Sequence, residues 1–152
     1  MYSNPEVQSI LSDSAFEAYR VVGADSSGDW VYTESDGTVT PMAITTGAST
    51  TQTAQGQYVT PAILLGGCGA VQVALAASSD VILGTVLVAL DDGYVTDITS
   101  ALETLDPAAA ANNIVGLSLV DRDTTAQETD IIPAMTYVPA GTIVGILSVE
   151  ES

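Results

Sequence analysis

Carboxylates are the side chains of this sequence most able to do chemistry, because they are numerous and occur in groups. The densest groups lie at residues 25–29, 91–92 and 121–123. Two carboxylates in one pocket can act as general acid and base, and carboxylate oxygens are ligands that Ca²⁺ prefers. None of the groups has the spaced pattern of a calcium-binding loop, and carboxylates in turns usually accept hydrogen bonds from backbone amides. We therefore predict no metal site and no catalytic carboxylate pair.

Other reactive residue types are almost absent. The chain has no His and no Lys, and its single Cys is Cys68, within the Gly-rich segment 66–69. Without an imidazole there is no Ser-His or Cys-His nucleophile pair and no base to activate the thiol. Segment 66–69 lacks the Lys of a phosphate-binding loop and is typical of a bulge or corner. We expect a buried Cys68, no cofactor and no enzymatic activity.

The charge of the chain restricts its partners. The chain has nineteen Asp and Glu residues but only two cationic side chains, Arg20 and Arg122, which gives a formal net charge of −17. Nucleic acids and acidic membranes repel such a surface, so we expect neither as a partner. Each Arg should find an acidic partner, within the subunit or across an interface. Residues 1–6 lack the basic and apolar parts of a cleaved leader, so we expect synthesis in a cytoplasm.

Short strands are the main elements that the sequence predicts. Apolar residues alternate over 71–75 and recur over 114–117 and 143–146. The stretch 81–90, interrupted by Gly84, is also predicted to be strand, and its nearly continuous apolar part, 85–90, is expected to be buried on both faces. The pattern Asp-Gly-x-Val-Thr occurs twice, at 36–40 and 92–96, and predicts two tight hairpins. The fold class is therefore all-β: a small compact barrel or sandwich of short antiparallel strands with one or two short helices.

Two short helices and one long loop complete the prediction. A polar cap followed by Pro precedes residues 6–11 and again residues 107–112, as at helix starts. The uncharged segment 45–57 has no apolar periodicity and is expected to form a loop or extended arm. The chain divides into an N-terminal arm or short helix, 1–14, and a single β-rich domain, 15–152, which carries that loop.

The order of these elements resembles the small capsid decoration proteins, also called cement proteins, of tailed bacteriophages. The resemblance covers roughly residues 15–120 and rests on segments 18–22, 36–40, 71–75, 82–87, 92–96 and 114–117. It implies a compact all-β protein without catalysis that binds the outside of a capsid and clamps neighbouring major-capsid subunits, commonly as a homotrimer. The implied partners are the major capsid protein and other copies of the chain, and the implied location is the outer surface of the virion.

Two other functions remain open at this point. A carbohydrate-binding or adhesion module would use Trp30, Tyr32 and further tyrosines as a stacking face. An acidic hydrolase would need two carboxylates that converge in a pocket.

For the capsid interpretation, we expect contacts from the N-terminal segment, the uncharged loop and the two cations, because these parts are least able to form a core alone. The candidate contacts are Tyr2, Pro5, Val7, Ile10, Arg20, Gln52, Gln55 and Arg122.

Overall fold

The computed structural model describes residues 6–66 and 69–136. The first half of the chain forms a six-stranded antiparallel sheet, which we call the N-terminal sheet. Its strand order is β1-β6-β4-β2-β3, and β5 also pairs with β6. The strands are β1 (Val7–Ser12), β2 (Val21–Ala24), β3 (Trp30–Tyr32), β4 (Thr40–Thr45), β5 (Thr51–Gln52) and β6 (Tyr58–Leu64).

The second half forms a closed five-stranded barrel with the order β10-β7-β13-β11-β9. Its strands are β7 (Ala70–Leu75), β9 (Val86–Ala89), β10 (Val95–Asp97), β11 (Ile114–Ser118) and β13 (Asp130–Met135). A separate two-residue ladder joins β8 (Asp80–Val81) to β12 (Arg122–Asp123). Two helices, α1 (Ile98–Thr104) and α2 (Pro107–Asn112), connect β10 to β11. The predicted all-β fold is confirmed, although one pairing, β10 with β7, is parallel and closes the barrel.

One apolar core joins the barrel to the N-terminal sheet. Val71, Val73 and Leu75 of β7 belong to the buried cluster that fills the barrel, whereas Ala70 and Gln72 are exposed. Val21 and Ile44, from β2 and β4, belong to the same buried cluster. Burying large apolar side chains contributes about 1.5–3 kcal/mol each, so this shared core holds the two sheets together.

Strand β9 is buried on both faces, as predicted, because one face packs in the barrel core and the other packs against the two helices. Leu87 points into the barrel core, whereas Val88 belongs to a second cluster with Ala101 of α1 and Ala110 of α2. The helices therefore cover the outside of the barrel at β9, which explains the continuous apolar sequence there.

Of the two predicted helices, one is confirmed and one is wrong. Helix α2 begins at Pro107, with the Asp106 carboxylate accepting hydrogen bonds from two backbone amides of the first turn. Residues 6–11 instead form most of β1, which pairs with β6 along all six of its residues. An isolated helix of this length is marginal in water, whereas the strand gains a full ladder and buries Ile10 at 5% exposure. Helix α1 was not predicted.

The two Asp-Gly turns have different outcomes. At Asp92-Gly93 the chain passes directly between the antiparallel neighbours β9 and β10, so this hairpin is confirmed. At Asp36-Gly37 the hairpin prediction is wrong, because β3 and β4 both pair with β2 and lie on opposite sides of it. Gly37 still has a positive φ, of 78°, so the local turn was identified but its topology was not.

The uncharged segment 45–57 is attached to the N-terminal sheet at several points. Thr45 ends β4, Thr51–Gln52 form β5, and the other residues form turns and irregular loop. The Ser49 amide donates to the Phe16 carbonyl, and the Ser49 hydroxyl accepts from the Phe16 amide. Further along, β5 pairs with β6 and a tight turn spans Thr53 to Gln57. Cys68 and the predicted strand 143–146 lie outside the described residues.

Candidate interaction surface

At least one carboxylate in each of the three dense groups accepts hydrogen bonds from backbone amides, either in its own turn or in a neighbouring one. The Asp25 carboxylate accepts from the amides of Ser27 and Asp29, at 2.9 and 3.0 Å. The Asp91 carboxylate accepts from the Ser35 amide at 2.8 Å. Within residues 6–66 and 69–136, no three His, Cys, Asp or Glu side chains are grouped so that they could hold a metal ion. Asp25 and Asp91 therefore order loops through their carboxylates.

Arg20 lies at the junction between the N-terminal sheet and the β9–β10 hairpin. Its guanidinium donates to the Glu17 carboxylate, to the Asp92 carbonyl at 2.8 Å and to the Tyr94 hydroxyl at 2.7 Å. Its Cζ also lies 3.8 Å from the centroid of the Tyr94 ring, a cation–π contact. The side chain is 12% exposed. The predicted ion pair is confirmed, and Arg20 joins two parts of one subunit; its role as a candidate contact stays a prediction.

Arg122 is the more accessible of the two cations. Its Nε lies 3.1 Å from the Asp130 carboxylate, and the Arg122 side chain is 47% exposed. An exposed pair of this kind contributes little to stability. Its predicted ion pair is confirmed, and its guanidinium is accessible to a partner.

The remaining candidate contacts differ in exposure. Val7 is 53% exposed, and Gln52 and Gln55 are exposed, so these three stay predictions. Ile10 packs with Phe16 in a third buried cluster and is corrected to a core residue. Tyr2 and Pro5 lie outside the described residues.

Three of the described aromatic side chains that were candidates for a sugar-stacking face make contacts inside the subunit. The Tyr32 ring packs edge-on against Phe16, with centroids 5.0 Å apart, and its hydroxyl accepts from the Glu17 amide. Trp30 packs against the same cluster as Phe16, and Tyr94 is stacked with Arg20. These rings stabilise the subunit itself, so they provide no support for the carbohydrate-binding alternative.

The most exposed large apolar side chains were missed by sequence reasoning. Ile82 and Leu83 are 62% and 66% exposed, and we call them the apolar turn. They begin a four-residue β-turn in which the Thr85 amide donates to the Ile82 carbonyl and Gly84 has a φ of 88°. The pattern of a type II turn, with Gly at its third position, was available at residues 82–85 but was interpreted as an interruption within a strand.

Four hydrogen bonds hold the apolar turn in place, beyond the one that closes it. The Ile82 amide donates to the Thr85 hydroxyl and the Leu83 amide donates to the Asp121 carboxylate, at 3.0 and 2.9 Å. The Gly84 amide donates to the Ser118 carbonyl, and the Ser118 amide donates to the Thr85 carbonyl. Turns normally carry polar residues at the surface, so a turn that is held by hydrogen bonds and exposes two aliphatic side chains is unusual.

A second apolar feature is a hollow on the barrel. It has a volume of about 270 Å³, and the described residues that line it are Gly69, Ala70, Leu119 and Met135. Met135 and Ala70 pair with each other at the end of β13 and the start of β7. We call this feature the apolar hollow. Contiguous exposed apolar surface on a soluble domain commonly marks an interaction site.

Comparison with known proteins supports the fold. No protein family model and no curated protein sequence matches the chain. The chain is similar to the crystal structure of the N base of head fiber gp8.5 in bacteriophage phi29, with 19% sequence identity and a TM-score of 0.51. The similarity covers 87% of this chain and 95% of that chain. The two chains therefore share a fold over most of the length of each. Among the described residues, no helix is both long and apolar enough to span a membrane.

Proposed function

We propose that this chain is a structural virion protein that binds the outer surface of a phage capsid as a homotrimer, cements neighbouring major-capsid subunits and catalyses no reaction. The observation that carries the proposal is the fold shared with the head fiber base over 87% of the chain.

The mechanism is association. An oligomer that contacts the shell at several points gains avidity, because each later contact forms at a high effective concentration. Individual contacts can then be weak while the attachment is stable. The net charge of −17 gives particles an anionic exterior that limits their aggregation.

The test is co-sedimentation of the full chain with capsids assembled from the major capsid protein of the same genome. We expect the chain to pellet with capsids in a fixed ratio to capsid subunits. A genome without a major capsid protein, or a chain that stays in the supernatant at micromolar concentration, would overturn the proposal. A glycan array on the same sample tests the carbohydrate-binding alternative, which predicts selective binding to a sugar class.

The exposed tip of the β5–β6 hairpin provides a specific prediction for this assay. We expect replacement of both Gln52 and Gln55 by Ala to weaken capsid binding about tenfold, because each lost polar contact is worth about 0.5–1.5 kcal/mol. Gln72→Ala is the matched control, since Gln72 is an exposed Gln on β7. Equal capsid binding by the double variant and the control would show that the hairpin tip does not contact the capsid.

Salt should stabilise the isolated protein. With nineteen acidic and two basic side chains, self-repulsion destabilises the folded state, and ions screen it. We expect the midpoint of thermal unfolding to rise by several degrees between roughly 10 mM and 500 mM NaCl, at which the screening length falls from about 30 Å to a few Å. Choline chloride at the same ionic strength should have the same effect. A midpoint that falls with salt would contradict screening.

A further inference from the structure

A small pocket beside β3 and the β9–β10 hairpin combines aromatic walls with carboxylates. Its volume is about 230 Å³, and the described residues that line it include Phe16, Tyr32, Glu34 and Asp92. Sites for drug-sized ligands enclose roughly 300–1,000 Å³, so this pocket has the size of a site for a single side chain. We call it the acidic pocket.

The aromatic walls of the acidic pocket are fixed in position. Tyr32 packs edge-on against Phe16, with ring centroids 5.0 Å apart, and its hydroxyl accepts from the Glu17 amide at 2.7 Å. The faces of aromatic rings carry partial negative charge and attract cations. Walls that are already ordered avoid most of the free energy that ordering them on binding would cost.

The two carboxylates lie on segments that are hydrogen-bonded to each other. The Ser35 amide donates to the Asp91 carboxylate at 2.8 Å, and the Asp91 amide donates to the Ser35 hydroxyl at 3.2 Å. Glu34 precedes Ser35 and Asp92 follows Asp91, so the backbones of Glu34 and Asp92 are held at a fixed separation. Like charges that are held together repel each other, and a bound cation relieves that repulsion.

Both carboxylates are available to a ligand. Glu34 and Asp92 are exposed residues. The Asp92 carboxylate has no hydrogen bond or ion pair with any residue that the structure describes. The Glu34 carboxylate accepts from the Thr38 hydroxyl at a long 3.4 Å.

The subunit does not supply a cation to its own acidic pocket. The sequence has no Lys and two Arg. The Cζ of Arg20 lies 5.8 Å from the centroid of the Tyr32 ring, but its guanidinium already donates to Glu17, to the Asp92 carbonyl and to Tyr94. Arg20 is not among the described residues that line the pocket.

A second copy of the chain is an unfavourable source of the cation. Arg122, the more exposed Arg, is paired with Asp130 and shares a depression with Asp80, Asp121 and Asp123. If Arg122 of another copy entered the acidic pocket, these four carboxylates would approach the two carboxylates of the pocket. Their repulsion opposes the attraction of one cation. Charge therefore favours a different protein with basic side chains.

We propose that the acidic pocket binds an arginine side chain of a different protein, with its guanidinium against the aromatic walls and hydrogen-bonded to Glu34 and Asp92. Arginine suits the site better than lysine, because a planar guanidinium stacks on aromatic rings and presents several donors at once. The assignment rests on the proposed function, under which that protein is the major capsid protein. The net charge of −17 accelerates the encounter with a basic face of that partner.

The first experiment measures binding of an isolated arginine side chain by NMR. Amide signals of the isotope-labelled full chain are followed while N-acetyl-arginine methylamide is added, and the neutral isostere N-acetyl-citrulline methylamide is the control ligand. We expect the arginine probe to shift the amides of residues 32–34 and 92 and to bind at least about tenfold more tightly than the citrulline probe. No shift at these amides, or equal binding of the two probes, overturns the proposal.

The double variant Glu34→Gln, Asp92→Asn removes both charges and keeps the size of both side chains. Asn tolerates the φ of Asp92, which is 62°. We expect its affinity for the arginine probe to fall about tenfold or more. The matched control, Glu103→Gln, Glu128→Gln, changes the net charge equally at exposed residues that do not line the pocket. Equal losses of affinity in the two double variants would show attraction by net charge alone, which contradicts a specific site.

Co-sedimentation with capsids tests the source of the arginine. We expect the Glu34→Gln, Asp92→Asn variant to bind capsids about tenfold more weakly than the control double variant, while both unfold at the same temperature. Equal capsid binding by the two variants overturns the assignment of the arginine to the capsid protein. Self-association of the isolated chain that is lost in the pocket variant would identify a second copy as the source and also overturn the proposal.

Loss of the acidic pocket and loss of the virion role give different results. The arginine probe is tested on the isolated chain, without capsids. A chain that binds the probe but stays in the supernatant with capsids loses the virion role and keeps the arginine site. A chain that pellets with capsids but does not bind the probe keeps the virion role and loses the arginine site.

Discussion

Replacing Gly93 by Val is expected to destabilise the fold by about 3 kcal/mol or more, through strain and overpacking together. Gly93 has a φ of 75°, a region that β-branched residues rarely adopt. A Cβ at this position would lie 2.6 Å from the Val21 carbonyl oxygen and 2.9 Å from the Arg20 Cβ. The first of these atoms is backbone, so the contact is relieved only if the hairpin moves away from the N-terminal sheet.

Gly28→Val separates the two causes. Gly28 has a similar φ, of 82°, but a Cβ there would meet no atom within 4 Å. We expect this control to cost about 1 kcal/mol, which reflects backbone strain alone. Urea unfolding followed by circular dichroism measures the free energy of unfolding of both variants. The difference between the two losses gives the cost of the contact between a Cβ at residue 93 and the N-terminal sheet. Equal losses of unfolding free energy in the two variants would show that a Cβ at residue 93 does not clash with the N-terminal sheet.

The environment of Gly93 illustrates what sequence could and could not predict. The Asp-Gly pair, with apolar runs on both sides, identified a tight turn between neighbouring strands, because that signal is local. The packing of the turn against Val21 and Arg20 depends on residues over seventy positions earlier in the chain. Nothing in the sequence near Gly93 indicates that contact.

Long-range pairing also explains the errors in the secondary structure. Residues 6–11 carry a helix-start signal, but a partner strand at Tyr58–Leu64 determined their conformation. Helix α1 had a readable signal, since Asp97 is followed by apolar residues at Ile98, Ala101 and Leu105 with helical spacing. It was missed because the preceding Val95 and Thr96 continue a strand pattern.

The candidate surface was predicted less well than the fold. Arg122 was identified from charge alone, because a lone cation in an acidic chain is conspicuous. The apolar turn lay within the stretch 81–90, whose apolar composition predicted one strand. Whether an aliphatic side chain in such a stretch is buried or exposed depends on which strands close over it, and that is a property of the barrel.

Asp97→Ala is expected to cost about 2–4 kcal/mol, because it removes a helix cap and a buried carboxylate that accepts from two backbone amides. One carboxylate oxygen of Asp97 accepts from the Ser100 amide at 2.8 Å and caps α1. The other accepts from the Asp80 amide at 3.0 Å, which ties the start of β8 to the barrel. The residue is 4% exposed, so water cannot replace the lost bonds without entering the protein.

Asp106→Ala is the matched control for the cap. Asp106 accepts from the Ala108 and Ala109 amides at the start of α2 but is itself exposed. Water can satisfy those amides in the variant, so we expect a loss of about 1 kcal/mol. Urea unfolding at neutral pH compares the two variants. A loss at Asp97 no larger than the loss at Asp106 would contradict a special role for the buried carboxylate.

Acid provides the last test of Asp97. Burial opposes ionisation of its carboxyl, but the hydrogen bonds from the Asp80 and Ser100 amides outweigh burial and hold its pKa below the ordinary value. A pKa lowered by folding means that the charged form stabilises the protein above the unfolded pKa, and that this contribution is lost as pH falls through the folded pKa. We therefore expect the stability difference between the native chain and Asp97→Asn to be constant near neutrality and to shrink below about pH 4. A difference that stays constant down to pH 2 would show that the charge of Asp97 contributes nothing and that its role is geometric.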